Sequence, residues 1–210
     1  MHSISLPLKA RRRPVQQRAK ITQAAILEAF VRLLVEKGYA QLTMRDIALV
    51  AGVGLGTLYE HFPGKASIAA HCIHQRFKAV GRQMQALIAQ HRGVATRPMI
   101  ALLIDGLLAM HADKPNEWSA LIALERQVSG LAAYQEMYEF ILRMWQQALQ
   151  AAADAALFES KSAEVVHAAV YGYLYQTLML KPEKVGNPEF SVQLKALALG
   201  YLQFPDAQAL

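Results

Sequence analysis

Three observations predict an all-α fold. Ala and Leu dominate a chain that is 54% hydrophobic, and both are strong helix formers. No segment alternates Val, Ile or Thr with polar residues at the period of two that a half-buried strand needs. Gly and Pro cut the 210 residues into helix-sized pieces joined by short connections, as in helical bundles. The length allows one large domain or two small ones sharing a core. The expected count is three short N-terminal helices followed by about six more.

The first helix runs from about Val15 to Lys37. Glu28, Arg32 and Glu36 form an i, i+4 polar stripe, with Ile26, Phe30, Leu33 and Leu34 off it, and Gly38 supplies the left-handed stop. Thr43 opens T-M-R-D, a variant capping box with Asp46 at the third helical position, so a brief helix spans Met44 to about Val50 before Gly52 breaks it. The next begins near Leu55, is anchored by Leu58 and Phe62, and stops at Pro63. A long helix follows from Gly64 to about His91, then a connection over Gly93–Pro98 and a largely buried helix over Met99–Ala112. Asn116 is the expected N-cap of Glu117–Val128. Gly130 precedes a helix over Leu131–Phe158, Ser160 caps another to Leu180, and Asn187 with Pro188 starts a last one ending near Phe204.

The net charge of +6 is unevenly placed. Residues 1–65 hold ten Lys/Arg against four acids, and the remaining 145 hold twelve of each sign. A polyanion partner for the N-terminal segment accounts for this, because each cation set on a phosphate releases condensed counterions. A solvated basic tail is the bland alternative.

Thr43–Lys65 carries the chemistry that decides between them. A helix N-terminus at Thr43 suits a backbone phosphate. Gly54 and Gly56 straddle the start of the second helix, where a missing side chain lets backbone approach a base edge or sugar. Thr57, Tyr59, His61 and Lys65 offer hydroxyl, imidazole and ammonium donors, which suits phosphate contacts more than base reading. Spacing alone is equally compatible with an ordinary helical hairpin. The residues break the tie. ITQAAILEAFVRLLVEKGYAQLTMRDIALVAGVGLGTLYEHFPGKASI closely resembles the N-terminal domain of the tetracycline-repressor (TetR) family of bacterial transcription regulators, over about residues 15–70. The signature runs through Phe30, Gly38, Thr43, Ile47, Ala48, Ala51, Gly52, Val53, Thr57, Leu58, Tyr59, His61, Phe62 and Lys65.

The resemblance implies a basic arm over residues 1–13, a helix-turn-helix DNA-binding domain over 14–65 and an effector-binding and dimerisation bundle over 66–210. Thr43 and Arg45 would meet phosphates, Leu55, Gly56 and Thr57 would lie nearest the bases, and Tyr59, His61 and Lys65 would grip the backbone. Arg11, Arg12 and Arg13, with Lys9, would reach along the DNA or into a minor groove. Leu55 and Gly56 cannot make bidentate bonds to bases. Specificity then leans on Arg45, Thr57, apolar contact of Leu55 with a thymine methyl, and DNA shape. The partner implied is double-stranded operator DNA, read by a homodimer formed through about residues 131–180. Ala168, Ala169 and Gly172 are small enough there for close helix approach, or are simply core residues.

A small apolar or aromatic effector between the core helices is likewise implied, with no other cofactor. Met99, Met110, Trp118, Tyr134, Tyr138, Trp145, Tyr171 and Tyr175 are the candidate lining, and core filling is the default for any one of them. His71, Cys72 and His74 do not converge as three or four metal ligands must, so no metal site is expected. Asp105 and His111 are isolated and no nucleophile–base set is visible, which argues against an enzyme. The lone Cys72 fits a reducing cytoplasm, and the N-terminal residues have the wrong charge order for a secretory signal. Apolar runs are too short and too flanked by charge for a membrane span.

Overall fold

The computed structural model describes residues 12–157 and 160–203. Among them are nine α-helices and no strand: α1 (Arg12–Gln41), α2 (Met44–Ala51), α3 (Leu55–His61), α4 (Lys65–Gln90), α5 (Thr96–Asp113), α6 (Pro115–Val128), α7 (Leu131–Ala151), α8 (Ser160–Leu180) and α9 (Pro188–Tyr201). The chain forms two compact units, Met1–Ala69 and Ala70–Leu210, whose boundary falls inside α4. No helix among the described residues is long and apolar enough to cross a membrane.

In the first unit, α1 begins at Arg12, so Arg12 and Arg13 belong to its first turn, while Arg11 lies outside the described residues. Gly38 does break the helix, at φ 76° and ψ 163°, a backbone conformation that only glycine adopts freely, and one further turn follows it. The core is a plain apolar set: Ile26, Phe30, Leu33, Leu34, Leu42, Ile47, Leu58, Phe62 and Ile68 are all buried. Leu58 in α3 and Phe62 at its C-cap, one helical turn apart, are both buried, as expected from their spacing.

In the second unit, α8 packs against α6, α7 and α9, and α5 packs against α7 and α9. Met99, Ile100, Leu103, Ile104, Leu107 and Leu108 form the buried side of α5. Three boundaries differ from the sequence expectation. The helix α5 starts at Thr96, not Met99, because Asp154 accepts from both the Thr96 backbone N–H and its hydroxyl, each at 2.7 Å. Pro98 sits harmlessly in the first turn, whose N–H groups have no intrahelical acceptor. The helix α6 starts at Pro115, so Asn116 lies inside its first turn and is not its cap. The helix α7 ends at Ala151, well before Phe158, which lies outside the described residues. There the chain is captured by the loop before α5: Gly93 donates to the Ala151 carbonyl and Ala153 donates to the Val94 carbonyl, both at 2.9 Å. The last helix is capped by Asn187, whose side chain accepts from Glu189 N–H, with Pro188 in its first turn as expected; it ends at Tyr201.

Candidate nucleic-acid interface and internal cavity

Local chemistry sets the geometry of α2 and α3. Thr43 and Asp46 close a reciprocal capping box: Thr43 Oγ1 accepts from Asp46 N–H at 3.2 Å and Asp46 Oδ2 accepts from Thr43 N–H at 3.1 Å. The Thr43 hydroxyl also donates to Asp46 Oδ2 at 2.6 Å, and Lys37 Nζ reaches the same oxygen at 2.7 Å. These donors, led by Lys37, hold the Asp46 carboxyl down at about 2. Gly52 ends α2 in the left-handed region, φ 66° and ψ 30°, and its N–H caps the carbonyls of Ala48 and Leu49.

The turn leaves α3 with one buried anchor and an open outer surface. Leu55, Gly56, Thr57 and Tyr59 are all exposed, Tyr59 at 51%, and His61 is half-buried. Gly54 caps the start of α3 without a side-chain hydrogen bond, and a Cβ at Gly56 would meet nothing within 4 Å. Arg45 is exposed, with no hydrogen-bond or ion-pair partner among the described residues. Thr43 is exposed too, with its hydroxyl already engaged by Asp46. These residues share one small unit, so its outer side offers hydroxyl, guanidinium and backbone donors.

Lys65 has other partners. Its ammonium donates to the carbonyls of Tyr39 at 3.0 Å and Leu42 at 3.1 Å, and lies 4.5 Å from the centre of the Tyr39 ring. Two of its three donors thus tie the start of α4 to the α1–α2 connection. The sequence expectation for Lys65 is a phosphate grip; here its ammonium is engaged by the α1–α2 connection.

The second unit contains a narrow cavity with a water-accessible volume of about 30 Å³, room for a water or two. Of the candidate lining, Tyr134, Tyr138, Trp145, Tyr171 and Tyr175 face it. Met99, Met110 and Trp118 do not. Met99 is fully buried in the core, and Trp118 donates its indole N–H to the Met110 carbonyl at 3.1 Å. The lining that sequence reading missed includes apolar residues such as Val80, Met137 and Ile141 and three buried polar ones: His111, Glu125 and His167, on α5, α6 and α8, are 1%, 2% and 2% exposed. His111 Nδ1 donates to the Leu107 carbonyl at 2.6 Å, and burial pushes its pKa down to about 4. It is therefore neutral at pH 7, with Nε2 left as a lone-pair acceptor. His167 is likewise lowered to about 4 by burial. Glu125 is raised, also by burial. His111 Nε2, His167 Nε2 and both Glu125 oxygens have no hydrogen-bond partner. Rings run on from one another around them: Tyr138 to His167 at 4.6 Å, His167 to Tyr171 at 5.7 Å, Tyr171 stacked on Tyr175 at 4.2 Å, and Tyr175 to His111 at 5.9 Å.

Cys72 is buried and its thiol is pushed up to about 12, and among the described residues no three His, Cys, Asp or Glu side chains are placed to hold a metal ion. Asp105 is not isolated, since it pairs with Lys195 Nζ across α5 and α9 at 2.5 Å.

Known proteins match this arrangement. The family described as bacterial regulatory proteins, tetR family, matches residues 26–72, which cover α2, α3 and parts of the helices on either side. An uncharacterised HTH-type transcriptional regulator of Mycobacterium tuberculosis is 28% identical over 99 residues, 47% of this chain and 48% of its own length. The HTH-type transcriptional regulator TtgR of Pseudomonas putida is 41% identical over 56 residues, 27% of each chain. The chain thus matches about half or less of the length of these relatives. Among solved structures, a TetR-family regulator from Mesorhizobium loti shares the fold at TM-score 0.69 and 18% identity, covering 89% of this chain and 97% of that one. A complex of SmeT with triclosan does so at TM-score 0.64 and 20% identity, over 84% and 90%; SmeT is the repressor of a Stenotrophomonas maltophilia multidrug efflux pump. Residues 26–72 are thus a tetR-family N-terminal domain, at the head of a chain that has the fold of TetR-family regulators.

Proposed function

We propose that this protein is a TetR-type transcriptional repressor that binds a near-palindromic operator as a homodimer and is released by a small effector held in the second unit. The observation that carries the reading is α3, which buries only Leu58 and presents Leu55, Gly56, Thr57 and Tyr59 outward within the matched domain. Docked in a major groove, α3 would place Leu55, Gly56 and Thr57 nearest the bases. Arg45, Tyr59, His61 and the N-terminus of α2 at Thr43 would meet phosphates, and Arg11, Arg12 and Arg13 would extend the contact along the DNA. Lys65 serves by tying the start of α4 to the α1–α2 connection.

Two copies must set their recognition helices roughly 34–36 Å apart or a little more. Exposure moves the expected dimer face toward the C-terminus. The outward side chains of α7 are mainly polar, Gln135, Glu136, Glu139, Arg143, Gln147 and Gln150. Most exposed apolar residues of the second unit lie on α8 and α9, Val165, Met179 and Leu180 on one and Val192 (67% exposed) and Leu197 on the other, while α7 exposes Leu131 at its first position. We therefore read the interface as α8 with α9, in place of the two helices within 131–180.

A gel shift on the DNA upstream of the protein's own coding sequence tests the reading. A salt-sensitive, sequence-selective shift is expected, weakened across all sites by Tyr59→Ala and altered in site preference by Thr57→Ala. Absence of any such shift, there and at neighbouring promoters, would sink it. The narrowness of the cavity favours a second reading, a DNA-binding regulator with a filled core and no effector. Unpartnered polar groups in the cavity wall speak for the first, since a filled core has no reason to bury them.

A further inference from the structure

The cavity wall has a chemical bias. Glu125 is 2% exposed, and neither carboxylate oxygen has a partner. Its sequence neighbour Arg126 is exposed and acts on it only through space, against the larger effect of burial, without hydrogen-bonding to it. No Lys or Arg is among the lining residues, so nothing in the wall neutralises a carboxylate there. His111 Nε2 adds a second buried acceptor, fixed as such because Nδ1 holds the proton on the Leu107 carbonyl. Tyr171, Tyr175 and Trp145 supply aromatic surface around these acceptors.

Each class of occupant meets this wall differently. An anion would lie beside Glu125 with no countercharge. A neutral apolar molecule would leave the buried acceptors as they are, at the full cost of their lost hydration. A hydroxyl could satisfy one acceptor and still leave the charge uncompensated. An ammonium supplies both the donors and the countercharge, and aromatic faces around it add cation–π attraction.

We infer that the cavity takes a small aromatic cation with N–H donors, its positive end on Glu125 and His111 and its ring among Tyr171, Tyr175 and Trp145. This rests on the effector-site reading above and replaces the apolar effector that composition suggested with a cationic one. The cavity as it stands holds little more than water, so the occupant enters by displacing the half-buried side chains Tyr134, Met137 and Tyr138.

The test uses the full chain and three compounds of one shape, 2-naphthylmethylamine, 2-naphthalenemethanol and 2-naphthoate, at pH 7.5. Binding is followed by tryptophan fluorescence and by calorimetry. The amine is expected to bind roughly tenfold or more tighter than the alcohol, with the carboxylate weakest. Glu125→Gln should bring the amine to the level of the alcohol and leave the alcohol nearly unchanged. That variant should melt no lower than the parent, because it removes an unpaired buried charge. If the alcohol or the carboxylate binds as tightly as the amine, or if Glu125→Gln leaves the amine's affinity intact, the cationic class is wrong and the cavity still has an occupant. If none of the three binds at millimolar concentration, this inference fails, and the effector reading beneath it fails too.

Discussion

The two units of this chain handle buried and half-buried polar groups in opposite ways. In the first, Asp46 collects the Thr43 hydroxyl and N–H and the Lys37 ammonium, and Lys65 caps two backbone carbonyls. In the second, His111, Glu125 and His167 are buried with atoms that bond to nothing. A buried polar group without a partner costs on the order of 1–3 kcal/mol, more when charged. A unit that carries several is less stable than its apolar core alone would make it. Stability spent in this way is characteristic of sites that bind something, whereas the first unit is built to hold one shape. The contrast predicts that the two units respond differently to the same perturbations.

Acid gives the largest expected difference. The folded pKa values of His111 and His167, about 4, lie below the ordinary 6.5, so their contribution is intact above pH 6.5 and is lost as pH falls toward 4. A shift of that size amounts to about 3 kcal/mol for each histidine. Glu125 works the other way: its raised pKa means that the second unit gains stability as the carboxyl takes up a proton, which offsets part of the loss. Asp46 in the first unit is depressed to about 2 from 3.8, so its contribution lasts to about pH 4 and fades between there and pH 2. The second unit should therefore loosen between pH 6.5 and 4 while the first stays folded. Both tryptophans, Trp118 and Trp145, lie in the second unit, so their fluorescence follows it alone, and hydrogen exchange in α2 follows the first. Coincident transitions in the two signals would break the comparison.

Lys65→Met removes the tie between α4 and the α1–α2 connection with little change in volume. Charge-assisted bonds to two carbonyls are lost and both acceptors are left half-buried, which should cost the first unit about 2 kcal/mol. Hydrogen exchange of α1 and α2 should speed up, with Trp fluorescence unaltered. Unchanged exchange together with lost operator affinity would return Lys65 to the phosphate backbone and show that the first unit does not depend on it.

Legibility in the sequence followed the same division. The capping box at Thr43, the stop at Gly52, the Leu58–Phe62 anchor and the Asn187–Pro188 start are all encoded within a few neighbouring residues, and each was readable. The start of α5 depends on Asp154, 58 residues further along the chain, and the end of α7 depends on the loop at Gly93. Nothing local signals either. Lys65 looked like a basic residue at the end of a recognition motif because its acceptors, Tyr39 and Leu42, are over twenty residues away. His111, Glu125 and His167 are single polar residues on three helices, unremarkable until packing brings them to one wall. The aromatic residues of the cavity were foreseen from composition, but its polar character was not.

The smallest effect tests the surface of α3. Gly56 lies in the first turn of that helix with open space where a Cβ would go. Alanine is the better helix former, so Gly56→Ala should leave the first unit equally stable or stabilise it by a few tenths of a kcal/mol, up to ~1. If α3 lies against DNA as proposed, the added methyl stands between its backbone and a base edge or sugar, and operator affinity should fall even as the melting temperature holds or rises. Paired melting and gel-shift measurements separate the two quantities. Affinity that rises with stability would mean that the surface around Gly56 faces solvent in the complex. Base contact would then have to come from Thr57 and Arg45, and the missing side chain at Gly56 would have no part in reading the operator.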